Sequence, residues 1–337
     1  MRAMVLRSTV DLDANLRPLE LVELPRPEPR AGEILIEVAV CGVCHTELDE
    51  IEGRTAPSSL PIVPGHEVVG GVVETGEGSG RFGIGDRVGV GWIHSSDGSE
   101  TENLSNRFVA TGRDVNGGYA EFMTVPERYA YPIPDIFPDD KAAPLLCAGG
   151  VGYRALRLTG LQDGEILGLT GFGGSGHLVL QLARHLYPAS PVYVFARSEK
   201  ERDFALRLGA DWSGDTEDEP PAKANAIIDT TPAWKPVLAA LERLRPGGRL
   251  VINAIRKEHR DRQLLANMRY EEHLWLEKEI KTVANVTHAD IESFLPIAAS
   301  VPLLVETQLY PLEAANEALL ELRAGHIEGA KVLIIKQ

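Results

Sequence analysis

The chain has 337 residues, of which 44% are hydrophobic and 25% charged, enough for two domains with their own cores. Its 49 acidic against 34 basic residues give a net charge of −15, which argues against a nucleic-acid or anionic-membrane partner, because both attract basic surfaces. No apolar run reaches the length of a bilayer span, MRAMVLRSTV lacks a long apolar signal core, and three cysteines make no disulfide framework, so the expected location is the cytoplasm.

Residues 1–148 read as an all-β unit. ILIEVAV (34–40), EVVGGVVET (67–75), DRVGVGW (86–92) and GGYAEFMTV (117–125) are expected strands, separated by Gly, Pro and Asp clusters such as PRPEPRAGE and GRFGIGD. From 149 to 286 strands alternate with helices. EILGLT (165–170) is a short apolar strand, GFGGSG (171–176) follows at once, and HLVLQLARHL (177–186) has the apolar content of a largely buried helix. That order gives a G-x-G-x-x-G match the context of a dinucleotide fold: Gly171 for the tight turn, Gly173 for close approach of the pyrophosphate, Gly176 for helix–strand packing. Gly174 lies in the same loop, and the phosphates would sit on the helix N-terminus. PVYVFA (191–196), NAIIDT (225–230) and RLVINA (249–254) repeat the alternation. In the tail, 287–337, LEAANEALLELRAGH (312–326) reads as an amphipathic helix and KVLIIK as a final strand, while the acidic SGDTEDEPPAK (213–223) reads as a surface loop.

The stretch CGVCHTELDEIEGRTAPSSLPIVPGHE (41–67) gathers Cys44, Thr46, Asp49, His66 and Glu67. Catalytic zinc takes three thiolate, imidazole or carboxylate ligands and leaves one position open. Cys44 and His66 supply two, and the one cysteine outside the stretch is Cys147, in PLLCAGGVGYRAL. By itself this spacing leaves a redox dithiol or coincidence open, and for any one of these cysteines taken alone small core packing is the better reading.

GHE after a Pro-rich turn, CGVCHTEL about twenty residues before it, and CAG ahead of the glycine loop run in one order along nearly the whole chain. In this the sequence resembles the zinc-containing alcohol dehydrogenases of the medium-chain dehydrogenase/reductase superfamily. The resemblance implies an α/β protein with a GroES-like β-barrel catalytic domain (1–148), a Rossmann cofactor domain with a doubly wound parallel sheet (149–286), and a return to the catalytic domain (287–337). It implies one catalytic Zn2+ per subunit on Cys44, His66 and Cys147, with an alcohol, aldehyde or ketone as substrate and a homo-oligomer, dimer or tetramer, as the assembly. Thr46 becomes the hydroxyl of a proton relay. Beyond it the family often has a His, where this chain has Asp49, with His45 close by; Asp49 is either the relay's outer base or an ordinary surface acid. Glu67 either takes a transient place on the zinc or accepts a hydrogen bond behind it. Cys41 reads as core, and Trp92 and Ile93 either line the substrate pocket or pack in the core.

The family's acidic ribose-binding position falls on Ala196, followed by Arg197 and Ser198. The carboxylate that repels a 2′-phosphate is missing and a guanidinium is present, so the expected cofactor is NADP(H), with Arg202 a second candidate for the phosphate. Glu199 keeps NAD(H) open. Two features depart from the family. Its structural-zinc lobe is replaced by SSDGSETENLSN, with Asp97 and Ser105 where the outer cysteines would stand, and loss of the metal crosslink predicts a looser lobe. Val151 stands where relatives often place a Thr against the nicotinamide. The competing expectation on the same fold is a zinc-free quinone or enoyl reductase, which would not need the three ligand residues.

Overall fold

The computed structural model describes residues 1–301, 303–325 and 329–336. It forms two compact units, Met1–Cys147 with Asn285–Ala299 and Val305–Gln337, and Ala148–Ala284 with Ser300–Leu304.

The first unit is built on the strand Glu33–Val43, whose bulky Val and Ile residues favour an extended backbone. It pairs antiparallel with Glu67–Thr75, Phe122–Pro126 and Ala330–Ile334. Arg87–Val90 and Ala130–Pro132 extend the sheet beyond Glu67–Thr75, and Thr307–Pro311 extends it, in parallel, beyond Ala330–Ile334. Ile34, Ile36, Val38, Cys41, Val68, Val72 and Val88 are buried in one core with Leu48, Tyr119, Leu319 and Leu333.

The second unit is a six-stranded parallel sheet. Its order is Trp212–Gly214, Val192–Phe195, Leu167–Thr170, Ala224–Asp229, Leu244–Ile252, Glu279–Thr282. The first strand of the unit lies inside the sheet, and the chain winds outward from it on both sides. This doubly wound order places a topological switch point between Leu167–Thr170 and Ala224–Asp229, at whose carboxyl ends ligands bind in such sheets. The helices Gly176–Leu186, Glu199–Arg207 and Lys235–Arg243 make the crossovers.

Several expected elements differ from those observed: the expected surface loop 213–223 begins inside the strand Trp212–Gly214, with Gly214 buried, and the strand expected over 249–254 is Leu244–Ile252. In 117–125 the strand starts only at Phe122. Gly117, Gly118 and Tyr119 instead donate their N–H groups to the carbonyls of Val63, Gly65 and Pro64, so this segment is spent holding the loop that leads to His66. The expected strand 86–92 is limited to Arg87–Val90. The helix expected over 312–326 is Ala315–Arg323 after a short turn Leu312–Ala314, and His326 lies outside the described residues. No helix among the described residues is long and apolar enough to cross a membrane.

Candidate active site

Sheet register brings the first two candidate ligands together. Gly42 is paired with Glu67 across the antiparallel strands Glu33–Val43 and Glu67–Thr75, so Cys44 and His66 leave the same end of the sheet. A side chain at Gly42 would lie 1.8 Å from Glu67 Oε2, which explains the glycine: the carboxylate lies across its backbone. Cys147 follows the turn Ala143–Leu146, which packs on the strand Arg87–Val90 through Leu146 and Gly89. Cys44, His66, Glu67 and Cys147 thereby place one ligand atom each within 4.8 Å of one another.

The short helix His45–Ile51 fixes the rest. Cys44 is its N-cap, and Glu47, in the first turn, accepts the Cys44 N–H at 2.8 Å through Oε2. The other oxygen of Glu47 lies 2.6 Å from His66 Nδ1. His66 is 1% exposed and its Nε2 has no hydrogen-bond partner among the described residues. A buried nitrogen without a partner is costly, and a metal ion satisfies it. The sulfurs of Cys44 and Cys147 are 3.8 Å apart and unbonded, and Thr46 Oγ1 lies 3.5 Å from Cys44 Sγ. A hydrogen bond from Cys147, with His66 beside it, holds Cys44 well below the usual thiol range, while the same bond and burial push Cys147 up. Two sulfurs, an imidazole nitrogen and a carboxylate pushed up by burial and by Cys44 form a donor set suited to zinc.

Around this set the candidate relay residues separate. Thr46 is buried and His45 half-buried. Asp49 is no surface acid: it is 1% exposed, and its Oδ1 accepts from Arg54 Nε at 2.5 Å. The helix turns Asp49 inward because the element is buried along nearly its whole length. Ile93 is fully buried core, whereas Trp92 is half-buried with its ring 6.2 Å from that of His66. Trp92 Nε1 donates to Glu50 Oε1 at 3.3 Å, Phe108 packs on its ring at 5.6 Å, and Arg113 lies 5.2 Å from the ring centre. Cys41 is buried in the core, and burial pushes its thiol well up.

Sequence reasoning missed Glu47, Glu50 and Glu102. Glu47 carried a signal, an acid three residues after the N-cap. Glu102 sits within the segment 95–106, 2% exposed, accepting from Tyr129 Oη at 2.9 Å and from the His288 N–H at 2.6 Å. In the same segment Asp97 and Ser105 are hydrogen-bonded to each other, so side chains tie it together.

In the second unit Gly171 has φ +81°, a left-handed conformation that glycine adopts freely, and a side chain there would collide with Thr230 and Thr231. A Cβ on Gly176 would stand 2.7 Å from the Gly171 carbonyl oxygen, whereas Gly173 and Gly174 face open space, room for a phosphate to approach. His177 Nδ1 lies 2.9 Å from the Gly173 carbonyl and steadies the loop. Beyond the second strand Arg197 is exposed, and Ser198 caps the helix Glu199–Arg207 by accepting the Glu201 N–H. Arg202 Nη1 donates to the carbonyls of Ala196 and Arg197 at 2.8 and 2.9 Å, so it braces the loop that presents Arg197. A further group, Glu242, Glu272 and His273, is satisfied internally: His273 Nδ1 accepts from the Arg269 N–H, Nε2 meets Glu242 at 3.2 Å, and Glu272 pairs with Arg269.

Residues 30–135 match the family model of the alcohol dehydrogenase GroES-like domain. The chain is 41% identical over 329 residues, 94% of its length and 93% of the relative's, to a probable alcohol dehydrogenase AdhA of Mycobacterium tuberculosis. A cinnamyl alcohol dehydrogenase from Sorghum bicolor superposes with a TM-score of 0.83 at 26% identity, covering 99% of this chain and 97% of that one. CAD from Helicobacter pylori, complexed with NADP(H), shares the fold with a TM-score of 0.85 at 22% identity, covering 100% and 98%. With its GroES-like domain, its parallel dinucleotide-type sheet and a relative this similar over nearly its full length, the chain belongs to the alcohol dehydrogenases of the medium-chain dehydrogenase/reductase superfamily, oxidoreductases that act on alcohols.

Proposed function

We propose that the protein is a zinc-dependent, NADP(H)-linked alcohol dehydrogenase and aldehyde reductase. The observation that carries the metal is the buried His66 Nε2, left without a partner while Nδ1 is held by Glu47, in a cluster with the Cys44 and Cys147 sulfurs. Cys44, His66 and Cys147 would hold one zinc, with Glu67 in reach. When bound, zinc supplies a Lewis acid for an alcohol or carbonyl oxygen, and the nicotinamide gives or takes the hydride.

The chain's own residues do the remaining work. Thr46, whose Oγ1 lies beside Cys44 Sγ, holds the substrate's hydroxyl proton and hands it on. His45, half-buried on the same helix, and Asp49, whose Oδ1 accepts from Arg54 Nε, are the onward groups. Trp92 offers a flat apolar wall near His66, suited to a planar substrate. On the cofactor side the glycine loop and the start of the helix Gly176–Leu186 receive the pyrophosphate, and Arg197 receives the 2′-phosphate.

The edge strand Glu279–Thr282 is exposed at all four residues and pairs on one side only, which suits addition of a second copy and the homo-oligomer we favour. Three free cysteines suit the cytoplasm. Elemental analysis of the purified protein, with a Cys44→Ala control, tests the proposal. One zinc per subunit, lost in the control, with NADPH-dependent reduction of aldehydes, is expected. No zinc, with carbonyl or C=C reduction intact, would promote the zinc-free reductase in its place.

A further inference from the structure

A buried polar cluster outside the proposed machinery lies at the carboxyl edge of the parallel sheet. Asp229 ends its strand with no solvent exposure, and Lys257, 10% exposed, donates to its Oδ2. Lys257 Nζ also donates to the carbonyls of Thr231 and Ala233 at 2.7 and 3.1 Å, while Asp229 Oδ1 accepts from Thr170 Oγ1 at 2.6 Å. Nearby, Glu258 N–H donates to the Pro232 carbonyl at 2.7 Å, and Asp261 accepts the N–H groups of Trp234 and Lys235 at 2.9 and 2.8 Å. The segment 253–261 is thus stitched to the loop 230–235, and Asn253 is its first residue.

Asn253 follows the strand Leu244–Ile252, and its N–H donates to the Asp229 carbonyl at 2.7 Å. Its side chain is 9% exposed, yet Nδ2 has no hydrogen-bond partner among the described residues. Buried amide donors are almost always paired, so an acceptor from outside the chain is called for. Position names that acceptor. In a doubly wound sheet the dinucleotide spans the switch point, one mononucleotide on each half. Arg197 and Ser198, after the second strand, mark the adenosine half, so the strands Ala224–Asp229 and Leu244–Ile252 belong to the nicotinamide half.

We propose that Asn253 Nδ2 donates to an acceptor oxygen of the nicotinamide mononucleotide, and that Asp229 and Lys257 are positioning residues that hold its segment in place. The inference rests on the nicotinamide-cofactor reading above, and binding alone tests it. Affinities of wild type and Asn253→Ala are measured for NADPH and for adenosine 2′,5′-bisphosphate, which lacks the nicotinamide mononucleotide. Asn253→Asp, which keeps the shape and removes the donor, serves where the alanine variant fails to fold. The expected result is about a 5- to 10-fold loss for NADPH with the bisphosphate unchanged. Equal losses for both, or none for either, would overturn it. Running NADH against AMP in parallel separates this from the 2′-phosphate reading: a wild-type preference for NADH would sink NADP specificity while the Asn253 comparison still stands.

Discussion

Glu47 grips the candidate metal site from two sides, its Oε2 accepting the Cys44 N–H at 2.8 Å and its Oε1 meeting His66 Nδ1 at 2.6 Å. One carboxylate therefore fixes the backbone that presents the Cys44 sulfur and the orientation of the imidazole. Glu47→Gln is expected to weaken zinc retention about 10- to 100-fold, the usual cost of removing such a supporting acceptor. Competition against a chelator reads this directly, and unchanged retention would mean that His66 is oriented by packing alone.

Arg197 and Arg202 separate by their bonds. Arg197→Ala is expected to cut the preference for NADPH over NADH about 10- to 100-fold, since a charge-assisted bond to phosphate is lost. Arg202→Ala, by freeing the carbonyls of Ala196 and Arg197, should weaken both cofactors together. Steady-state kcat/KM with each cofactor distinguishes the two, and a selective NADPH loss in Arg202→Ala would make it a phosphate ligand instead.

Glu50 is 1% exposed, with Oε1 on Trp92 and Oε2 unpartnered among the described residues. Burial, with Glu47 behind it, pushes its carboxyl well above the usual range. A raised acid favours folding while it is protonated, so the charged form costs stability once pH exceeds the unfolded value near ~4.3. Glu50→Gln should therefore be more stable than wild type at pH 8, by roughly 1–3 kcal/mol, with the gap closing toward pH 4. Equal melting curves across that range would show Glu50 neutralised by another route.

In the lobe, Tyr129 donates to Glu102, and burial followed by that bond pushes the phenol up to about 12. Its contribution is complete below about pH 10, the unfolded value, and drains away as pH climbs toward 12. Tyr129→Phe should be less stable than wild type at pH 8 and should lose that alkaline slope in thermal melts. Glu102→Ala should cost roughly 2–4 kcal/mol by removing both bonds to the carboxylate. A chelator that strips zinc should leave the slope of the wild type untouched.

What could be read from the sequence was local. The strand Glu67–Thr75 and the strand–glycine loop–helix of 167–186 follow from periodicity over adjacent residues, and the motifs around Cys44, His66 and Cys147, in one order with the glycine loop, pointed to the family. Side-chain networks between elements left no such trace. Glu47 and His66 are 19 residues apart, Asp229 and Lys257 28, and Glu102 meets His288 across 186. The inward position of Asp49 escaped notice because a seven-residue helix buried on nearly every side has no polar face to reveal.

The strand Ala330–Ile334 lies between Thr307–Pro311 and Glu33–Val43 in the sheet. During synthesis residues 1–147 therefore emerge with an open sheet edge where two strands are still missing, while the stretch from Ala148 to Ala284 has all six of its strands in one continuous piece. The half with the parallel sheet can close while the ribosome is still at work, and the half that carries the thiols waits for Thr307–Pro311 and Ala330–Ile334, its Val-rich edge in need of shelter until then.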